Sequence, residues 1–233
     1  VDAVVRGSSR RDYTATRVAG VFGPQMAEYV LGHVLCLEKG LGEAAAQQRA
    51  RQWNSEPWKL AGSRRPLGAL TLGVLGMGSI GAHIAHMATT VGMRVVGFKR
   101  STAGTGPRAQ TAPAAGEVRA ATRGGGHEDG GHGHGTLETT SSLEEVLRRS
   151  DYVVNTLPST SATRGLLDSG ILARACGGNV ASMESLVPPR RPPVLINVGR
   201  GDIVSESTLI DALSRGYLSH AVLDVFAVEP LPP

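Results

Sequence analysis

A glycine turn between two apolar stretches constrains the fold of this chain more than any other feature. The stretch from Leu70 to Ser101 predicts an apolar strand, a glycine turn, an alanine-rich helix and a second apolar strand. Strand, helix and strand in this order form a βαβ unit, whose two strands lie parallel in one sheet. The predicted elements are a strand at 71–75, a helix at about 79–91 and a strand at 93–98. The sequence therefore predicts the α/β class, with a Rossmann-type doubly wound parallel sheet.

The turn carries Gly76, Gly78 and Gly81, which have the spacing G-x-G-x-x-G. In this motif the first glycine permits a tight turn, the second lets the backbone approach a pyrophosphate, and the third lets the helix pack against the strand. The amides at the start of the helix then face the phosphates with the positive end of the helix dipole. We therefore expect the following residues to bind a dinucleotide: Gly76, Met77, Gly78, Ser79, Ile80 and Gly81.

The residues after the second strand indicate which dinucleotide is bound. An NAD site typically has an acidic residue about 20 residues beyond the glycines, whereas a basic residue there accommodates the 2′-phosphate of NADP. This chain has Lys99, Arg100 and Ser101 at that point. We therefore predict NADP(H) as the preferred cofactor, with Arg100 as the better phosphate ligand because a guanidinium binds phosphate bidentately. The alternative is that these residues are solvated at a strand end and that NAD(H) is also used.

The composition argues against several other classes of protein. The net charge of the 233 residues is only +4 and aromatic residues make up 4%, so no basic surface with stacking rings for nucleic acid is expected. No apolar run approaches the roughly 20 residues that cross a bilayer, so no membrane contact is expected. Cys36 and Cys176 have no metal-ligand or disulfide spacing, which favours a reducing, cytoplasmic location.

The order of the segments predicts one cofactor domain with two insertions. Residues 1–20 are interpreted as a remnant of an upstream substrate domain, and residues 21–233 as the dinucleotide-binding domain. From Phe22 to about Arg51 the apolar residues are spaced by three and four, which predicts one long helix or two abutting helices. Segments rich in glycine, proline and histidine at about 102–135 and 176–193 are predicted to be flexible, and no metal site is expected of them.

Two later apolar strands are expected to end beside the dinucleotide. Asp151 to Leu157 is predicted to be a buried strand stopped by Pro158, and Val194 to Val198 a buried strand that runs into a Gly-Arg-Gly-Asp turn. Ligands of open α/β sheets lie beyond the carboxyl ends of the strands, so both strand ends should lie near the cofactor. The remaining predicted elements are a short helix capped by serine near 141–147, helices at 165–175 and 205–215, and a strand at 219–225.

Four motifs occur in the order in which one known family has them. They are LGVLGMGSIG, DYVVNTLPSTSATRGLLD, LINVGRGDIVSESTLIDAL and AVLDVFAVEPLPP. With these motifs the chain resembles the D-isomer-specific 2-hydroxyacid dehydrogenases, and most closely their glyoxylate/hydroxypyruvate reductase branch. FGPQMAEYVLGHVL is similar to the helix that enters the cofactor domain of that family.

The resemblance implies roles for individual residues. Arg200 stands where the arginine of the family binds the substrate carboxylate, and Glu229 where its acid raises the pKa of the catalytic histidine. The alternatives are an arginine that bonds loop carbonyls and a turn carboxylate. Asp224 matches the residue that bonds the nicotinamide carboxamide, and a buried aspartate at a strand end needs such a donor. The further residues expected to bind the cofactor are Thr156, Leu157, Pro158, Val198 and Gly199.

The function that the resemblance implies is NADPH-dependent reduction of a small 2-oxo acid, of the glyoxylate or hydroxypyruvate type, to the D-2-hydroxy acid. The catalytic histidine of the family follows the Glu-Pro motif, and no histidine of this chain has the matching context. We therefore expect the cofactor domain of a larger enzyme, and a homodimer. The alternatives are an NAD-dependent enzyme of the phosphoglycerate or lactate type, which Lys99 and Arg100 disfavour, and a nucleotide-sensing module similar to the corepressors of the family.

Overall fold

The computed structural model describes residues 18, 20–53, 65–99, 135–177 and 191–231. The strands are β1 Thr71–Leu75, β2 Arg94–Phe98, β3 Leu137–Thr140, β4 Tyr152–Asn155, β5 Val194–Asn197 and β6 His220–Leu223. They form one sheet in the order β3-β2-β1-β4-β5-β6, and every neighbouring pair is parallel. The direction of winding reverses between β1 and β4, which is the switch point where such sheets bind ligands. The predicted α/β class and Rossmann-type doubly wound sheet are confirmed.

The helices of the described residues are α1 Gly23–Lys39, α2 Leu41–Arg49, α3 Ser79–Thr90, α4 Leu143–Arg149, α5 Ser169–Cys176 and α6 Glu206–Ser214. Of the two possibilities for the predicted helical stretch at 22–51, two abutting helices are present. They are separated by Gly40, whose φ of 62° is the left-handed conformation that glycine adopts without strain. Three helices begin at a side-chain cap, because Ser142, Asp168 and Ser205 each accept a bond from the amide three residues on.

Two hydrophobic clusters cover the two faces of the sheet. One joins Val30 of α1 and Ile84 of α3 to Val74 of β1 and the residues of β4 and β5 on the same face. The other joins α4, α5 and α6 to Leu75 and to alternate residues of the same strands. Because helices pack on both faces, every residue of β1, β4 and β5 is buried, and these strands have continuous apolar runs instead of an alternating pattern.

A buried ion-pair network closes the amino-terminal edge of the sheet. The guanidinium of Arg65 lies 2.6 Å from Glu38 of α1 and 2.6 Å from Asp151, which precedes β4. Tyr152 donates to Glu38 at 2.9 Å, and the amide of Thr71 donates to Asp151 at 2.8 Å. Glu38 and Asp151 are 5% and 6% exposed, so their charges are held inside the protein by Arg65 and these donors. The network joins α1 to the starts of β1 and β4.

Several predicted boundaries differ from the structure. The strand β3 is absent from the prediction, which placed the flexible insertion up to residue 135 and the next order at a helix. The sequence of β3, LETT, has no alternation of apolar residues because it is an exposed edge strand. The helix predicted at 165–175 begins at Ser169 instead, since residues 159–167 form a loop and Asp168 supplies the cap. The last strand is shorter than predicted and covers 220–223.

The two insertions fall mainly outside the described residues, which exclude 100–134 and 178–190. The second insertion was predicted to begin at residue 176, but Cys176 is the buried last residue of α5. The division of the chain at residue 20 stays a prediction, since residues 1–17 and 19 are not among the described ones.

Candidate functional site

The glycine turn has the geometry that its three glycines predict. Gly76 has a φ of 101°, which an L side chain rarely adopts. A Cβ on Gly81 would lie 1.9 Å from the carbonyl oxygen of Gly76, so only glycine lets α3 pack this closely against the end of β1. A Cβ on Gly78, in contrast, would meet no atom within 4 Å. The first and third glycines are therefore required by the fold, whereas the space beside the second is open.

That open space adjoins the start of α3. Gly78 is the N-cap residue and provides no side-chain bond, and the helical ladder begins with the bond from the amide of Ala82 to the carbonyl of Gly78, 2.8 Å long. The amides of residues 79–81 precede that ladder and have no carbonyl of the helix to bond. Free amides and the positive end of the helix dipole next to open backbone suit a phosphate group. The residues present therefore fit the diphosphate of a dinucleotide.

Two cavities lie on either side of this turn. One, of about 280 Å³, is lined by the start of α3, by Phe22 and by Thr156. The other, also about 280 Å³, lies between Met77, Phe98, Lys99 and the loop after β4. Its walls are mainly apolar and Lys99 stands at its edge, which suits an adenine ring with a phosphorylated ribose. A cavity of about 430 Å³ lies at the opposite edge of the sheet, beside the Arg65 network.

The residues predicted to select NADP(H) are described only in part. Lys99 follows β2 and is exposed, and its amide donates to the carbonyl of Thr140 at 2.9 Å. Its ammonium is therefore available at the carboxyl edge of the sheet. Arg100 and Ser101 lie outside the described residues.

The loop after β4 contacts the glycine turn directly. The hydroxyl of Thr156 donates to the carbonyl of Gly76 at 2.7 Å, and a Cβ on that glycine would lie 3.0 Å from the side chains of both Thr156 and Leu157. Pro158 lines the same cavity as Met77. The structure thus brings the predicted residues 156–158 together with the glycine turn, as expected from their place at the end of β4.

Arg200 follows β5 at the same edge of the sheet. Val198 and Gly199 before it are buried, whereas Arg200 is exposed, as its position between two glycines predicts. Its Nη1 donates to the carbonyl of Gly199 at 2.7 Å. This bond to a loop carbonyl is what the alternative of a structural arginine predicts, and the substrate role of Arg200 stays a prediction. The rest of the guanidinium fork remains accessible for an anion.

Glu229 and Asp224 lie on the turn that follows β6. Gly201 packs against this turn so closely that a Cβ would lie 2.0 Å from the carbonyl carbon of Phe226. Arg200 and Glu229 are thereby placed on two backbone segments in contact. Glu229 is exposed and accepts a bond from the amide of Phe226 at 2.7 Å, which is what the alternative of a turn carboxylate predicts. The prediction that Asp224 is buried is wrong, because β6 is an edge strand and leaves this side chain exposed.

A second set of contacts joins the loops after β4 and β5. Ser159 donates to Asp202 at 2.5 Å, and the Nε of Arg164 lies 3.3 Å from the same carboxylate. The main chain adds bonds from Gly165 to Asp202 and from Leu167 to Ile203, at 2.9 and 3.0 Å. The segment that carries Arg200 is therefore fixed from one side by the loop after β4 and from the other by the Phe226 turn.

Comparison with known proteins agrees with this geometry. The family model described as "D-isomer specific 2-hydroxyacid dehydrogenase, NAD binding domain" matches residues 31–122 and 111–233. The chain belongs to this family. The glyoxylate reductase of Aeropyrum pernix is 29% identical over 236 residues, covering 98% of this chain and 57% of that protein. The D-3-phosphoglycerate dehydrogenase of Bacillus subtilis is 29% identical over 204 residues, covering 88% of this chain and 30% of that protein.

Solved structures of the family have the same fold. A family protein from Aeromonas salmonicida is 32% identical with a TM-score of 0.68, and the match covers 99% of this chain and 60% of that one. A D-isomer specific 2-hydroxyacid dehydrogenase from Xanthobacter autotrophicus, in complex with NADPH and MES, is 29% identical with a TM-score of 0.65. That match covers 99% of this chain and 77% of the other. The chain thus spans little more than half the length of the glyoxylate reductase it matches.

The histidines of the described residues make no hydrogen bond to Arg200 or Asp224. His83 lies on α3, where its Nδ1 is 2.8 Å from the carbonyl of Ser79 and its ring packs against Gly23, as expected for a packed imidazole. None of the described histidines bonds to Glu229. Within the described ranges, no cluster of His, Cys, Asp and Glu has the geometry of a metal site, and no helix is long and apolar enough to span a bilayer.

Sequence reasoning missed three polar residues that support the site. Asn155 and Asn197 end β4 and β5 and are fully buried, and Asp202 joins the two loops. An asparagine at the end of an apolar strand is the signal that was available, because a buried amide requires partners.

Proposed function

We propose that this chain is the cofactor-binding part of an enzyme that reduces a small 2-oxo acid, of the glyoxylate or hydroxypyruvate type, to the D-2-hydroxy acid with NADPH. The observation that carries the proposal is the open backbone at Gly78 and the start of α3, on the same edge of the sheet as the exposed guanidinium of Arg200. A diphosphate site and a carboxylate ligand at one edge are what a nicotinamide-dependent reductase of acids requires.

The cofactor would be held by the turn and the loops beside it. The amides of residues 79–81 would bind the diphosphate, and Lys99 and Arg100 the 2′-phosphate. The loop after β4 would cover the adenosine. Val198 and Asp224 would contact the nicotinamide end. The bound cofactor supplies a hydride to the carbonyl carbon of the substrate.

The residues of this chain would orient the acid and control charge. Arg200 binds the substrate carboxylate and draws electron density from the adjacent carbonyl, because its fork is exposed and only one of its nitrogens bonds to the main chain. Glu229 holds the pKa of a histidine high enough for that histidine to protonate the developing alkoxide. The histidine that the family resemblance implies follows the Glu229-Pro230 pair.

The preference for NADPH rests on the sequence after β2, where Lys99 and Arg100 stand at the place that an acidic residue takes in a typical NAD site. An NAD-linked enzyme of the phosphoglycerate type is the second candidate, since D-3-phosphoglycerate dehydrogenases are also among the relatives.

We further propose that the protein is a homodimer and that it is located in the cytoplasm. Sedimentation of the purified protein tests the first proposal, and fractionation of cells tests the second.

The proposal is tested with protein expressed from the whole reading frame that contains this sequence. Turnover of a panel of 2-oxo acids with NADPH and with NADH should show glyoxylate or hydroxypyruvate as the best substrate. NADPH should bind several-fold tighter than NADH. Arg100→Ala should bring the two dissociation constants closer together, because one charge-assisted contact with the 2′-phosphate is lost. Preference for phosphohydroxypyruvate with NADH would establish the second candidate. Equal affinities for both cofactors would contradict the role of Lys99 and Arg100.

A further inference from the structure

Two asparagines lie side by side where β4 and β5 end. Asn155 and Asn197 are paired in the register of the sheet and are 0% and 1% exposed. Their neighbours in both strands are apolar. An amide so deeply buried is retained only when its donors and acceptors have partners, and both side chains here are satisfied.

The bonds of this asparagine pair, Asn155 and Asn197, form a directed chain. The amide of Leu157 donates to Oδ1 of Asn155 at 3.0 Å, and Nδ2 of Asn155 donates to Oδ1 of Asn197 at 2.8 Å. Nδ2 of Asn197 then donates to the carbonyl of Arg200 at 3.0 Å. The amide of Leu157 needs an acceptor, so the oxygen of Asn155 faces it. The carbonyl of Arg200 needs a donor, so the nitrogen of Asn197 faces it. Both side-chain amides therefore have one consistent orientation.

The chain of bonds ends on the main chain of Arg200. The amide of Gly199 donates to Oδ1 of Asn197 at 3.2 Å, so one side chain holds both the amide before Arg200 and the carbonyl of Arg200 itself. Gly199 lies so close that a Cβ would be 2.6 Å from Nδ2 of Asn155. Asn197 therefore holds the backbone immediately before and at Arg200, and Asn155 in turn holds the side chain of Asn197.

We propose that Asn155 and Asn197 are positioning residues that hold Arg200 at the angle needed to bind the carboxylate of the substrate. The inference rests on the proposed function for the role of Arg200. It adds a link between two parts of the site. The side chains of Asn155 and Asn197 join the main chain of Leu157, in the loop beside the cofactor, to the main chain of Arg200. A ligand that moves the Leu157 loop would thereby move Arg200.

The variant Asn197→Asp distinguishes a role in positioning Arg200 from a general role in the stability of the fold. The distinction is possible because the charge of the new side chain depends on pH. The protonated carboxyl has nearly the shape of the amide and still donates to the carbonyl of Arg200, whereas the ionised form places a negative oxygen against that carbonyl. Burial raises the pKa of a carboxyl in such a place. The variant should therefore resemble the wild type at pH 5 and lose the positioning of Arg200 by pH 8.

The test compares the whole protein with its Asn197→Asp variant at each pH. The measured quantity is the KM ratio, which is the KM of the variant for the 2-oxo acid divided by that of the wild type. This ratio should rise by about tenfold between pH 5 and pH 8. The dissociation constant of NADPH should change less than the KM does, since the diphosphate site is on another loop and only the nicotinamide end adjoins residues 198 and 199. Ser150→Ala is the matched control, because Ser150 is 1% exposed and bonds the carbonyl of Val146 at the opposite edge. Its KM ratio should stay near one. A ratio for Asn197→Asp that is the same at every pH, whether near one or elevated, overturns the inference.

Hydrogen exchange tests the same inference without turnover. At pH 8, amides of residues 198–203 should exchange about tenfold faster in Asn197→Asp than in wild type, and at the wild-type rate in Ser150→Ala. Unchanged exchange in Asn197→Asp overturns the inference even if the enzyme is active. A wild-type protein that reduces no 2-oxo acid, yet shows the expected exchange, overturns the proposed function and leaves the asparagine pair as the support of Arg200.

Discussion

Two glycines of one motif should respond to alanine in opposite ways. In Gly81→Ala the new Cβ would lie 1.9 Å from the carbonyl oxygen of Gly76, so the turn and α3 must separate by more than 1 Å. Overpacking of this kind costs about 1–3 kcal/mol or more, and the higher helix propensity of alanine offsets about 1 kcal/mol. The oxygen belongs to the backbone and cannot rotate away, so the cost lies near the upper end of this range. We therefore expect the free energy of unfolding of Gly81→Ala to be about 2 kcal/mol lower than that of the wild type.

Gly78→Ala should keep the fold and lose the ligand. Gly78 has φ −79° and ψ −165°, which alanine adopts freely, and a Cβ there meets nothing within 4 Å. The stability should change by no more than about 1 kcal/mol. The methyl group would occupy the space through which a diphosphate approaches the amides, so NADPH should bind at least about tenfold more weakly, which is about 1.4 kcal/mol.

Urea unfolding followed by circular dichroism measures the first effect, and titration of NADPH fluorescence measures the second. The wild type and the two variants form one set, in which each alanine serves as the control for the other. If Gly78→Ala binds NADPH as the wild type does, the diphosphate does not approach this backbone. If Gly81→Ala is as stable as the wild type, the close contact between Gly81 and Gly76 does not govern the turn.

Three further results are expected at other places in the fold. Arg65→Ala removes the cation shared by Glu38 and Asp151 and should cost about 3 kcal/mol in urea unfolding, so a change under about 1 kcal/mol would contradict the buried network. Burial raises the pKa of the Cys176 thiol to about 11, whereas Cys36 is exposed, so iodoacetamide at pH 8 should label Cys36 first, and equal rates would contradict this. Burial, followed by the neighbouring Glu38, raises the pKa of Tyr152. The neutral phenol therefore stabilises the folded protein below about pH 10, and this stabilisation is lost as the pH rises further. Between pH 9 and pH 11 the Tm of the wild type should fall by more than that of Tyr152→Phe. An equal fall in Tm would contradict the raised pKa of Tyr152.

The parts of the fold that sequence predicts are those with a strict local requirement. The turn at Gly76 needs a positive φ and the contact at Gly81 excludes a Cβ, so glycine spacing alone locates β1 and α3. The continuous apolar runs of β4 and β5 identify strands covered on both faces. The place of Arg200 at the carboxyl end of a buried strand then predicts its exposure at the ligand edge.

The parts that sequence does not predict depend on neighbours distant in the chain. Strand β3 is held by its pairing with β2 and has no apolar pattern of its own. Asp224 follows an edge strand, and only the position of that strand in the sheet decides that the aspartate is exposed. The contact between Asn155 and Asn197 joins residues 42 positions apart, so neither strand alone indicates it.

A crystal structure of this protein with NADP⁺ tests the central claim most directly. The account predicts that diphosphate oxygens accept bonds from the amides of residues 79–81, that the 2′-phosphate contacts Lys99, and that the nicotinamide lies at the same edge as Arg200. A dinucleotide bound instead in the cavity beside Arg65 and Asp151, at the opposite edge of the sheet, would contradict it.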